Sequence, residues 1–302
     1  MQISGHDIRV EYVNNIFIGS ETDRNEWQEW NNKLQGILEK IPPKAIELKP
    51  IIQFLVATIA PSKIFMIKSE ELSASEDVRY IDLLIVISGS CAVPFTELEP
   101  ILQIACLKDT SICCSLHNEG SVLESLRNGH LFYSLNFKPD NLVYDNKTVD
   151  YPKITEQALS DIKKSAKEKF NQAFTKAKDF FELATIFNQD YISDILGFLL
   201  HQAVELTYRA ILRSLNGYDK KSHEIRLLKK QVRRVAANLN TVFPDDTEAE
   251  KRLLDILESA YLDARYSDTG PMSSEIISVL LEKIDRLQDL AKQIVESKLG
   301  TL

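Results

Sequence analysis

The stretch LLHQAVELTYRAIL, residues 199–212, decides how the chain is read. It continues a series, Ile192, Ile195, Leu199, Ala203, Leu206 and Ala210, in which apolar residues recur every three or four positions. That period places one apolar stripe along a helix. The same spacing precedes it in Phe170, Ala173, Phe174, Ala177 and Phe181. It returns in Ile225, Leu228, Val232, Val235 and Leu239, then in Leu253, Leu257 and Tyr261, then in Ile276, Leu280, Ile284, Leu287 and Ile294. Gly217 and Pro244 punctuate the connections. About five amphipathic helices with short joins predict an antiparallel, all-α bundle over residues 151–302.

Upstream of Pro152 the texture changes to short apolar runs mixed with Pro, Gly and Asn. Residues 48–59 read as a helix ending before Pro61, and residues 63–67 as a strand. Residues 80–87, YIDLLIVI, form a near-continuous β-rich apolar run, the mark of a strand covered on both faces. Pro94 opens a helix to about Lys108, a strand follows at 111–116, and a short helix at 123–128 stops at Gly129. Residues 132–137 and 141–144 flank Lys138-Pro139-Asp140 and predict a hairpin. The fold class is therefore α+β: a mixed sheet with helices in residues 1–150, and the bundle in 151–302. Residues 1–45 fit no pattern beyond Trp27 and Trp30, spaced as core anchors on an early helix.

Thirty-six Lys and Arg against 44 Asp and Glu give a net charge of −8, which disfavours a dedicated duplex-binding domain. Cys91, Cys106, Cys113 and Cys114 form no CxxC pair, so a structural zinc site is not expected. Together they suit a reducing compartment. The N-terminus shows no secretory pattern, and the longest apolar run, residues 51–60, is too short to span a bilayer. The expected setting is cytoplasmic, away from membranes.

Ile67-Lys68-Ser69, followed thirteen residues after Ser69 by Asp82 within YIDLLIV, resembles the minimal nucleotidyltransferase fold. In that family a Gly-Ser turn holds a triphosphate and two or three carboxylates hold Mg²⁺. Here Lys68 stands for the Gly, Tyr80 for the first Asp, and no acid lies in residues 111–116. The resemblance thus implies a degenerate domain, with Lys68, Ser69 and Asp82 as remnants of a phosphate site. Mg²⁺ enters only if transfer survives through Asp82 and acids the sequence does not place.

The helical half resembles HEPN domains, which often partner minimal nucleotidyltransferases. The likeness rests on residues 199–212, on Gly217-Tyr218 followed by SHEIRLL (222–228), and on YLDARYSD (261–268). Many HEPN proteins are ribonucleases that use an Arg four to six residues before a His; no His here has that partner. HEPN relatives commonly pair through their bundles, so the resemblance implies a homodimer. His201, Glu205 and Arg209 share one helix face. With Arg265, Tyr266 and Asp268 they make either a nucleotide or phosphate site or a structural network. Arg226, Lys230, Arg233 and Arg234, opposite an apolar stripe, make either an RNA-contacting surface or a solvated face. The expected function is non-catalytic binding of a nucleotide, a phosphorylated small molecule or RNA. The alternatives are a divergent Mg-dependent transferase and a toxin–antitoxin-like component acting on RNA.

Overall fold

The computed structural model describes residues 48–70, 79–89, 91, 93–106, 112–189, 195–218, 222–266 and 272–300; for 68–70, 79–80, 189 and 262–266 it describes the backbone alone. Two compact units divide the chain, one holding residues up to 68, 81–123 and 137–151, the other 69–80, 124–136 and 152–302.

The first unit is built on a four-stranded mixed sheet in the order β3-β2-β1-β4. The strands are β1 (Lys63–Glu70), β2 (Arg79–Ile87), β3 (Ile112–Asn118) and β4 (Leu142–Asp145). β2 and β3 run parallel with Asp82 opposite Cys113, while β1 and β4 are antiparallel with Lys63 opposite Asp145. Helices α1 (Leu48–Ile59) and α2 (Phe95–Cys106) pack on one face. Leu48, Ile52 and Leu55 from α1 and Leu98 and Leu102 from α2 bury against Ile64, Ile81, Leu83, Ile85 and Ile112. The alternate residues Leu84 and Val86 are also fully buried, so β2 is covered on both faces as its composition predicts. Phe65, Phe137 and Tyr151 stack in sequence in this unit, with the Phe65 and Phe137 ring centroids 4.4 Å apart. The Lys63 ammonium meets Asp145 at 2.6 Å across the β1–β4 pair.

One expectation is corrected. Residues 132–137 are not a strand: α3 (Glu119–Arg127) is followed by α4 (Leu131–Asn136) and a 3-10 turn at Pro139–Asn141. β4 pairs with β1 instead, so the expected hairpin does not exist. The cause is packing. A helical turn buries Leu131, Phe132 and Ser134 together, and α4 lies against α5 and the turn that ends α6. Pro139 then starts a turn in which a strand would need its missing N–H.

The second unit is helical: α5 (Glu156–Gln189), α6 (Leu196–Ile211), α7 (Ile225–Ala236), α8 (Glu248–Tyr266) and α9 (Ser274–Leu299). At 34 residues, α5 is about 51 Å long. α6 contacts each of the other four and buries twelve of its sixteen residues, which makes it the centre of the bundle. The stripes are seated as their periods require: Phe170, Phe174 and Ala177 on α5, Ile225, Leu228 and Val232 on α7, and Leu280, Ile284 and Leu287 on α9 are all buried. No described helix is long and apolar enough to cross a membrane.

α6 closes through a π-turn, Leu212–Asn216, whose Ser214 hydroxyl donates to the Ala166 carbonyl at 3.0 Å. Gly217 follows with φ +71°, the left-handed conformation that ends the turn. A Cβ there would overlap the half-buried imidazole of His130. Gly217→Ala therefore meets two obstacles, a strained dihedral and an occupied space. We expect it to cost more than about 1 kcal/mol of unfolding free energy, read from urea titrations. An unchanged midpoint contradicts the close approach of His130.

Candidate functional site

The site is organised around one buried carboxylate. Glu205 lies on the inner side of α6 and is 1% exposed. A charge at that depth needs its oxygens fully engaged. Oε1 accepts from Arg209 Nη1 at 2.9 Å, one helical turn along. Oε2 accepts from Gln202 Nε2 at 2.9 Å and from His223 Nδ1 at 3.0 Å. His201, four residues before Glu205, is equally buried.

The partners fix the His201 tautomer. Its Nε2 faces the His223 carbonyl at 3.0 Å, which only accepts, so Nε2 carries the proton. Nδ1 is then free to accept from Gln202 Nε2 at 3.3 Å. Burial pushes the His201 pKa below its ordinary value, against the opposing pull of Glu205. The imidazole is thus neutral, and its 3.8 Å approach to Glu205 is not an ion pair. His201 fastens the loop before α7 through a backbone carbonyl and offers no proton to a ligand.

His223 is the member that reaches solvent, its side chain 56% exposed. Glu205 holds its Nδ1–H, leaving Nε2 outside this network. Its ring stacks on Tyr261 of α8 with centroids 4.5 Å apart and planes 15° apart. Phe198 also stacks on Tyr261, at 6.0 Å. Buried carboxylate, stacked ring and backbone contact together hold the imidazole in one orientation.

Of the residues singled out in the sequence, His201, Glu205 and Arg209 do come together. Asp268 lies outside the described residues, as do the side chains of Arg265 and Tyr266 at the end of α8. His223 was not singled out as a site residue: it sits eighteen positions from Glu205, in a loop with no periodicity to place it. The signals in the sequence are its place after Gly217 and within SHEIRLL, residues 222–228, one of the stretches that carries the HEPN likeness.

Arg226 turns to α8, bound to Glu258, to Asp255 at 2.8 Å and to the Lys251 carbonyl at 3.0 Å. Lys229 is 5% exposed and pairs with Asp245 at 3.4 Å. Lys230 is exposed, while Arg233 and Arg234 are half-buried, with the Arg234 guanidinium 5.8 Å from the Phe132 ring centroid.

In the sheet unit, Asp82 is buried on β2. Lys68 and Ser69 belong to β1, and their side chains are not among those described. Among the described residues no three His, Cys, Asp or Glu side chains gather to hold an ion. The described residues thus do not assemble a three-ligand site on Asp82.

Residues 170–295 match the HEPN domain family model. The HEPN match runs from within α5 nearly to the end of α9, so it contains the whole Glu205 network and the basic helix. It does not extend to the sheet unit. No curated protein matches the chain.

Proposed function

We propose that the chain is a regulatory binder of phosphate-bearing ligands, RNA foremost, which it engages through its HEPN domain without cleaving them. The observation behind this reading is the half-exposed His223 held at the edge of the Glu205 network. Within that network both Glu205 oxygens accept hydrogen bonds, and His223 gives its Nδ1–H to one of them. What faces outward is one oriented ring edge with a hydrogen-bonding nitrogen, suited to a phosphate or a base edge. Lys230, Arg233 and Arg234, on the helix that follows, supply cations for a backbone. Arg226 and Lys229 are engaged within the domain and are left out of this surface. The sheet unit, with Lys68 and Tyr80 where the family has Gly and Asp, is on this reading a degenerate nucleotidyltransferase-like partner.

The test is fluorescence anisotropy with labelled single-stranded RNA across a salt series. Changing both Arg233 and Arg234 to Glu should weaken binding at least about tenfold and flatten the slope of log K against log salt by roughly 1.4, for two lost contacts to a single strand. His223→Ala should weaken binding with little change in slope. No binding at low salt, or wild-type affinity in the charge-reversed variant, rules the reading out.

One observation favours a second reading. A carboxylate on Nδ1 with Nε2 outward is also how a histidine is oriented for general acid–base work. If the domain cleaves RNA, incubation of labelled substrate yields products that disappear in His223→Ala, and binding is then only its first step.

A further inference from the structure

The sulfur chemistry of the sheet unit has no place in the reading above. α2 ends at Cys106, and Cys114 is the third residue of β3, the strand that α2 packs against. Both side chains are half-buried and lie against the core formed by α1, α2 and the sheet. The two Sγ atoms are 3.2 Å apart, with the Cys106 thiol donating to Cys114. A disulfide needs them about 1 Å closer, within reach of small side-chain rotations. Cys113 is exposed and, by strand alternation, on the other face of the sheet, and Cys91 is exposed in a separate loop.

From this juxtaposition we infer that Cys106 and Cys114 are a modification site: a dithiol that low-molecular-weight disulfides oxidise to an intramolecular cross-link joining the end of α2 to β3. The reaction balances as two thiol–disulfide exchanges. One cysteine thiolate attacks a sulfur of R–S–S–R and expels RS⁻, leaving a protein–SR mixed disulfide. The second thiolate attacks the protein sulfur of that mixed disulfide and expels the second RS⁻. The two protons released by the cysteines end on the two RSH molecules, and the two electrons have passed from the protein to the oxidant.

Proximity sets which pair closes. The second step is intramolecular, and its partner is already in contact, so the mixed disulfide is short-lived. The thiol–thiol hydrogen bond and burial hold Cys114 well above the usual thiol range, so the rate should rise with pH. The link closes a short loop between consecutive elements of a single unit. It fixes α2 to the sheet without requiring either to move far.

The full-length protein is incubated with oxidised glutathione, its remaining thiols are alkylated, and the product is digested with trypsin. Lys108 lies between the two cysteines, so cleavage there separates their peptides unless a disulfide joins them. The expected result is a fall from four free thiols to two, a joined pair of peptides carrying residues 106 and 114, and return to four after reduction. Cys113→Ser keeps the joined peptides; Cys114→Ser loses them. Four thiols retained after oxidation, stable glutathione adducts on Cys106 and Cys114, or joined peptides that persist in Cys114→Ser would each overturn the assignment. Because Cys113→Ser and the wild-type thiol count both test it, the inference stays exposed even if Cys114→Ser fails to fold.

Discussion

Glu205→Ala should lower the unfolding free energy by about 3 kcal/mol, the lower part of the range for breaking a buried pair by removing one partner. The carboxylate is 1% exposed, and it satisfies Arg209, Gln202 and His223 at once. Its loss removes the carboxylate that pairs with the Arg209 guanidinium, whose side chain is only 14% exposed. The cavity left by a fully buried side chain adds to the cost. Arg209→Ala should cost less, because Glu205 keeps its hydrogen bonds from Gln202 and His223. Urea titrations read the stability, and the His223 ring resonances read the local effect: without Glu205 the ring loses the contact that fixes Nδ1, and its signals should narrow toward those of a mobile side chain. A stability loss under about 1 kcal/mol in Glu205→Ala, with His223 unchanged, would show that the network does not hold the loop.

Tyr208 should give opposite results for two substitutions. It is fully buried, the bulkiest such side chain among the described residues, and its Oη makes no hydrogen bond among them. Tyr208→Ala opens a large cavity at the bundle centre and should cost about 3–5 kcal/mol. Tyr208→Phe keeps the ring and removes only the unpartnered hydroxyl, so it should be neutral or stabilising by about 1 kcal/mol. The pH dependence separates the two forms further. Burial, aided by Asp245, pushes the folded phenol above its ordinary value of 10.0. The stability it contributes is therefore complete below that pH and is lost as pH rises above it, where the unfolded phenol ionises and the folded one does not. Tyr133, Tyr144 and Tyr151 are shifted in the same direction, so the informative quantity is the difference between wild type and Tyr208→Phe. A Phe variant that is less stable by more than about 1 kcal/mol would mean that the hydroxyl has a partner.

How much of this was legible depends on whether a residue's role is local. The strand at 80–87 and the stripes of α5, α7 and α9 could be read directly, because a period or an unbroken apolar run reports which face is covered. On α6 the stripe understates burial. Val204, Thr207 and Tyr208 lie off it and are still fully buried, because α6 is surrounded and a central helix has no outer face. Residues 132–137 are ambiguous in the sequence, because six residues with mixed polarity fit a strand as well as a helical turn, and only the packing on α5 decides. Within the site, His201, Glu205 and Arg209 announce themselves by four-residue spacing. His223 does not, since a loop residue has no register until the loop is docked. Lys229 shows the same limit: its place on a helix wheel beside Lys230 says nothing of Asp245, which holds it down at the bundle surface.

The placement of α4 has a practical consequence for dissecting the molecule. Residues 124–136 belong to the helical unit although they precede β4, so the polypeptide leaves the sheet, contributes a wall to the bundle, and returns to finish the sheet. A fragment beginning at Pro152 would retain all five long helices yet strip Phe132 from beside Arg234 and His130 from beside Gly217. The excised piece would be a bundle with an open flank, and experiments meant to isolate the HEPN-matching region are better done by substitution within the intact chain.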